Sequence, residues 1–373
     1  MAIGKENVSR STVFIAGGTG FLGTRLAEEL INQEFVGKII IGGRSIKPES
    51  ELIHPKVSYR LGDMKDDEYL TGLFHENTID IAVNCVSKTS IWGKYDEFYK
   101  ENVVTQQHLI NLCEKHHVKR YIYISSPAIY FDFREQLNIT EQYPLPKRFA
   151  NNYARTKYES EQLLKNCKIP YIIIRPRAYT GRGDTVMMPK VIQAARDKKL
   201  LIIGDGKNVV DICPVANIVN AIVLSIKSPL SACNKAYNIG YGKPIPIWQA
   251  ISSILVKLGY EPPRKKIPFW FIYSIVVMTE FIYSLFKLKK EPRFTRYSIS
   301  SLAKSVTFDI SLARKNLGYE SVMTIEEAIN EFVEWYVKTR EENTFKGQRE
   351  ETMADYIDNN LQSKSKSEFL KNT

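Results

Sequence analysis

Short apolar runs alternate with longer stretches of helical period through the first half of the chain. Residues 12–16 read Thr-Val-Phe-Ile-Ala, apolar and β-branched, the pattern of a strand buried on both faces of a parallel sheet. Residues 24–33 follow, with Leu26, Ala27, Leu30 and Ile31 at helical spacing. The exchange continues to about Cys167, with further strands expected at 38–41, 121–125 and 171–175. Such alternation predicts an α/β fold built on a doubly wound parallel sheet. Residues 10–175 would form mainly the sheet domain. Residues 176–340 would form mainly a smaller, discontinuous lobe that returns some elements to it. Near the end, 324–338 reads as a helix capped by Thr324, with Glu327 three residues on. From 341 to 373 the composition turns polar and charged, as in a mobile tail.

One segment breaks the alternation. Residues 267–286 are almost wholly apolar and aromatic, long enough to cross a bilayer if helical. Arg264, Lys265 and Lys266 precede them, and Lys287, Lys289 and Lys290 follow. Glu280 in the interior and basic clusters at both ends weigh against a span. Two readings remain beside it: a buried helix covering a pocket, or a lid whose aromatic face also meets an anionic membrane surface.

The junction between the first strand and the first helix carries Gly17, Gly20 and Gly23, at GxxGxxG spacing. Strand, glycine turn and helix together suit a dinucleotide, because glycine lets the backbone approach a pyrophosphate whose charge sits at the helix N-terminus. Thr19, Phe21 and Leu22 belong to the same turn and complete a Rossmann-type cofactor site. After the second strand, where an acidic side chain would select the 2′-hydroxyl of NAD, stand Gly43, Arg44 and Ser45. A guanidinium suits a phosphate monoester, so NADP is favoured and NAD is the alternative. The plainer reading of Arg44 is a solvated loop charge. Asp63, followed by Met64, is placed after the third strand to contact adenine.

Tyr153 and Lys157 lie four residues apart and share one helix face. A lysine there should favour the phenolate and help it exchange a proton. The motifs, in this order, resemble the extended short-chain dehydrogenase/reductases, and the likeness runs to about Arg340. Among them the 3β-hydroxysteroid dehydrogenase branch, with its 2-alkyl-3-oxoalkanoate reductase relatives, is similar in several segments. These include residues 124–131 (Ile-Ser-Ser-Pro-Ala-Ile-Tyr-Phe), 96–103 with Asn102, 175–184 with Arg177 and Tyr179, 203–208, 291–297 and 308–319.

The resemblance implies that Tyr153 gives its proton to a carbonyl oxygen as hydride arrives, and that Lys157 holds the nicotinamide ribose and lowers the Tyr153 pKa. It also implies that Ser126 hydrogen-bonds the carbonyl oxygen, and that Asn102 supports the proton relay. Trp92, Pro127, Arg177 and Tyr179 would border the substrate, and the apolar segment would be part of a helix pair over its pocket. Trp270, Tyr273 and Phe281 would then suit a sterol-like or long-chain β-keto molecule. Lys88, two residues before Ser90, is unusual so near the nicotinamide; it either biases the pocket toward acids or points to solvent, the second being the plainer reading.

Composition narrows the classes further. With 373 residues, 44% of them hydrophobic, the chain can bury a full core. Its five cysteines are scattered with no CxxC pair, which argues against disulfides and zinc, and His116-His117 lacks companions at ligand spacing. The N-terminal eleven residues lack the apolar stretch of a signal peptide, so a cytoplasmic location is expected, peripheral to a membrane if the apolar segment meets one. The net charge of +11 suits phosphorylated cofactors or anionic lipid; no nucleic-acid module accompanies it. The expected partners are a small hydrophobic substrate and, as open alternatives, a membrane surface and a second copy in a homodimer. Two other functions share parts of this apparatus: a nucleotide-sugar epimerase or dehydratase retaining NAD, and a non-catalytic NADP-binding sensor. The strand-end Arg44 and the apolar segment weigh against the first, and the presence of Ser126, Tyr153 and Lys157 against the second.

Overall fold

The computed structural model describes residues 10–47, 50–185, 188–288 and 290–340; the expected tail lies outside them. Seven parallel strands form the central sheet: β1 (Ser11–Ala16), β2 (Val36–Gly43), β3 (Val57–Leu61), β4 (Ile81–Asn84), β5 (Arg120–Ile124), β6 (Tyr171–Pro176) and β7 (Lys235–Ile239). Their order is β7-β6-β5-β4-β1-β2-β3. The chain winds outward from β1 in one direction and then from β4 in the other. The crevice between the carboxyl ends of β1 and β4 is therefore the switch point where such sheets bind ligands.

Each strand feeds both faces because successive side chains alternate. Val13, Ile15, Ile39, Ile41, Ile122 and Ile174 join one core with α1 (Phe21–Ile31). Phe14, Ala16, Ile40, Tyr121 and Tyr123 join the other with α2 (Asp67–Glu76) and α3 (Thr105–Lys115). Helix α4 (Asn152–Leu164), started by the Asn151 side chain accepting from the Ala154 N–H, precedes β6. α5 (Val215–Lys227) packs back on the first core and leads to β7. That return is how residues beyond 176 re-enter the sheet.

The remaining residues build a second core around Trp248 and Ile251 of α6 (Ile247–Lys257), Val276 of α7 (Phe269–Leu285), Ile299 of α8 (Arg296–Ala303) and Phe332. The last helix runs over 325–340, and its expected cap is in place: Thr324 Oγ1 accepts from the Glu327 N–H at 3.2 Å, and Glu327 Oε2 accepts from the Thr324 N–H at 2.7 Å.

Helix α1 begins three residues earlier than its apolar spacing suggests. Gly20 is extended and caps it without a side chain, so Phe21, Leu22 and Gly23 are already helical. Of the two readings kept for the apolar segment, the buried helix is the one that fails. α7 has 17 residues with Val276 alone buried, so it is no buried lid. Trp270 and Phe281 face outward, 71% and 65% exposed, rather than into a pocket. Among the described residues no helix is long and apolar enough to cross a membrane.

Candidate active site

The glycine turn closes tightly over the switch point. Gly17 has φ +74°, and a Cβ there would stand 3.0 Å from the Val86 nitrogen, just past β4. At Gly23 a Cβ would meet the Gly17 oxygen and Gly18 Cα, both at 2.5 Å, with no flexible side chain to yield. The turn is held by Gly18 N donating to Gly42 O (2.8 Å) and Gly20 N to Gly17 O (3.1 Å). With no side chain at the cap, the first N–H groups of α1 remain open to an anion. These features fit a dinucleotide pyrophosphate. Thr19 packs on Gly43, where a Cβ would stand 2.1 Å from Thr19 Oγ1.

Beyond Gly43, Arg44 is exposed, and its charge helps hold the Asp63 carboxyl below its usual value, after the larger effect of the Lys65 N–H bond (3.0 Å). Met64 is different. Its side chain is spent on the core, against Phe14 and Gly42, which leaves only its backbone for a cofactor.

On the other side of the crevice, α4 carries Tyr153 and Lys157 toward the ends of β4 and β5. Lys157 is 2% exposed; its ammonium donates to Ile124 O at 2.8 Å and lies 4.9 Å from the centre of the Tyr123 ring. Burial pushes its pKa down to about 7, against the pull of Cys85 and Glu161. Burial pushes the Tyr153 phenol up to about 12, while the hydroxyls of Ser126 and Ser87, which face it, act the other way. This corrects the expectation that Lys157 lowers the phenol: the lysine is turned to the end of β5 and is not among the groups that shift it. The phenol is a neutral donor across the ordinary pH range.

Ser126 caps the short helix Pro127–Tyr130 by accepting from the Ala128 N–H at 3.2 Å, so it serves the backbone and faces Tyr153 as well. Pro127 is buried at the start of that turn. Asn102, 2% exposed in the π-helical turn Tyr99–Val104, is fully engaged: Oδ1 accepts from Lys88 N (2.8 Å) and Nδ2 donates to Thr156 Oγ1 (2.9 Å). It ties the loop after β4 to α4 instead of pointing at the phenol. Lys88 pairs with Glu97 at 3.1 Å and lies over the Phe98 ring, away from the pocket.

The same loop presents Trp92. Its Nε1 donates to Leu288 O at 3.3 Å, and its ring meets Tyr283 edge-on at 6.0 Å, so it joins this loop to the end of α7. Tyr179 stacks near Phe21 at 5.6 Å and lies close enough to Tyr153 for their phenols to interact. Arg177 is 9% exposed, its Nε has no hydrogen-bond partner, and its guanidinium neighbours Asp211 and the Tyr297 phenol. Tyr297, on α8, in turn influences Tyr153.

The structure therefore gathers Tyr153, Ser126, Tyr179 and, through Tyr297, Arg177 at one place. Ser87 and Tyr297 were not foreseen as site residues. Ser87 could have been found from its position three residues past β4, at the carboxyl edge where ligands bind; nothing local marks Tyr297.

A family model, the NAD dependent epimerase/dehydratase family, matches residues 13–240. The chain belongs to that family. Its relatives within this epimerase/dehydratase family include 2-alkyl-3-oxoalkanoate reductase of Stenotrophomonas maltophilia, 28% identical over 85% of this chain and 97% of that protein. The 3beta-hydroxysteroid-dehydrogenase/decarboxylase isoform 1 of Arabidopsis thaliana is 30% identical over 91% of this chain and 82% of the other. The human sterol-4-alpha-carboxylate 3-dehydrogenase, decarboxylating, is 27% identical over 89% of each. In three dimensions the chain is similar to the Bordetella bronchiseptica enzyme WbmH in complex with NAD+, with a TM-score of 0.71 at 16% identity, covering 88% of this chain and 99% of that one. That likeness speaks for the fold alone. With family members named dehydrogenases and reductases matching nearly its full length, the chain is an oxidoreductase of the NAD-dependent type that works at a CH–OH or ketone carbon.

Proposed function

We propose that the chain reduces, or in reverse forms, a ketone on a hydrophobic molecule that carries a carboxylate near the reacting carbon, with NADP(H) preferred. The observation that carries this reading is the pairing of the Tyr153 phenol with Ser126 beside the glycine turn. A dinucleotide held at the turn by its pyrophosphate would supply or accept the hydride through its nicotinamide. Gly17, Thr19, Gly20, Phe21, Leu22 and Gly23 would hold the pyrophosphate, and Lys157 the ribose. Ser126 positions the substrate oxygen and Tyr153 donates the proton to it. Asn102 keeps the Lys88 loop and α4 in register, a positioning role.

Two observations support the acidic substrate. The relatives named above include a 3-oxoalkanoate reductase and a sterol-carboxylate dehydrogenase, whose names place a carboxylate near the oxidised carbon. Arg177 offers a buried guanidinium with an unpartnered Nε in the same neighbourhood as the phenol. The test is oxidation of NADPH and NADH by the purified protein with 2-alkyl-3-oxo acids, 3-ketosteroids and short β-keto esters. Turnover of the acids ahead of the esters supports the reading. Tightly held NAD with no turnover of any carbonyl would return the epimerase alternative.

The preference for NADP rests on Arg44. Arg44→Ala is expected to raise the KM for NADPH by roughly ten- to a hundredfold, the worth of a charged hydrogen bond, with little change for NADH. Equal effects on both coenzymes would reduce Arg44 to a solvated loop charge.

A further inference from the structure

α7 turns an apolar face outward that no part of the described protein covers. Trp270, Met278, Phe281 and Leu285 are 71%, 64%, 65% and 63% exposed, and they recur at helical spacing on one side. Phe271, Ile275, Val277 and Ile282 widen the stripe, and Phe286 and Leu288 extend it past the helix end. A contiguous apolar surface of this kind marks an interaction site.

Two hydroxyls and the one acid on the helix are already satisfied. Ser274 Oγ and Thr279 Oγ1 each donate to the carbonyl four residues back, at 2.9 Å. Glu280 faces the protein, where its carboxylate accepts from the backbone N–H and the Nε of Arg296, both at 2.6 Å. Its charge is thus matched on the inner side, and the outer stripe carries no acid.

Both ends are basic. Arg264, Lys265 and Lys266 are exposed before the helix, and Lys287, Lys290 and Arg293 after it. We propose that α7 seats the protein on an anionic lipid surface, its stripe in the boundary between headgroups and acyl chains and these six cations on the headgroups. The helix is about 25 Å long, short of the roughly 30 Å hydrocarbon core, and its other side is fixed to the protein, so it lies in the plane of the membrane. A second copy of the chain fits less well. Two such helices laid side by side, in either direction, would set one basic cluster against another.

Docking places the contact between Trp92 and Leu288 near the lipid. The docking stands apart from the reductase reading and is tested apart from it. The full chain is sedimented with phosphatidylcholine vesicles with and without phosphatidylglycerol, at low and physiological salt. Binding at least about tenfold stronger to the anionic vesicles, weakened by salt, is expected. A variant combining Trp270→Ser, Met278→Ser and Phe281→Ser, and a second with Lys265→Glu and Lys266→Glu, should each lose about tenfold or more.

Equal binding to both vesicle types, or undiminished binding by both variants, overturns the proposal. So does dissociation of a dimer by the serine variant with vesicle binding unchanged, which would make a second copy the occupant. Loss of turnover on a soluble carbonyl with vesicle binding intact bears on the active site and leaves the docking supported.

Discussion

Tyr153→Phe should lower kcat by roughly a thousandfold while NADPH binds as in the wild type. The substitution removes one oxygen and leaves the ring in place, so the crevice keeps its shape. What it removes is the proton donor. Because burial raises the phenol to about 12, it is protonated throughout the range in which an enzyme is normally assayed. The phenol itself should therefore impose no fall in ketone reduction below that value, and a break near pH 7 would report Lys157. The reverse oxidation, which needs the phenolate to accept a proton, should rise with pH. Ser126→Ala removes a single hydrogen bond to the developing oxyanion and should cost about a hundredfold. Steady-state rates in both directions and a titration of bound nucleotide by fluorescence check these outcomes together. A Tyr153→Phe variant within tenfold of the wild type would move the acid role elsewhere, with Ser126 and Ser87 the hydroxyls that face the phenol.

The sheet was legible because burial on both faces leaves an unbroken apolar signature. The runs at 12–16, 121–125 and 171–175 coincide with β1, β5 and β6 to within one residue. The start of α1 was not, because Phe21 and Leu22 sit inside the glycine motif and read as turn while they are already helix. The outward face of α7 was hidden for a different reason. Apolar composition tells that a surface avoids water in some context, yet it does not say whether protein or lipid covers it.

The site was legible where backbone chemistry leaves a spacing. Glycines that no Cβ could replace, and a Tyr-x-x-x-Lys face on α4, need no knowledge of the tertiary fold. Tyr297 reaches Tyr153 and Arg177 only because α8 converges on the ends of β5 and β6, and no local pattern encodes that convergence. The direction of the Lys157 side chain was misread for the same reason. Spacing puts it on the face of Tyr153, but its ammonium donates to the carbonyl at the end of β5.

That placement makes Lys157 costly to the fold, and Lys157→Met should show it. Burial holds the ammonium near pKa 7, while a lysine in the unfolded chain titrates near 10.4. Between these values the unfolded chain binds more protons than the folded one, so the contribution of this group to stability rises with pH. Below about 7 both states carry the charge and the folded state bears the whole desolvation penalty, roughly 5 kcal/mol. Above about 10 both are neutral and the penalty is gone. Methionine fills similar space without a charge, at the loss of one bond to Ile124 O, worth about 1 kcal/mol. The variant, stripped of nucleotide, should therefore melt several degrees above the wild type at pH 6–7. The gap should close or slightly reverse near pH 10, while turnover is lost. Melting curves for both proteins across that range decide the matter. A variant that is less stable at pH 7, or a gap that does not move with pH, would mean that the ammonium is well solvated where it lies. A gap that closes with pH would mean the lysine is retained against the interest of the fold, which is the physical mark of a residue kept for its chemistry.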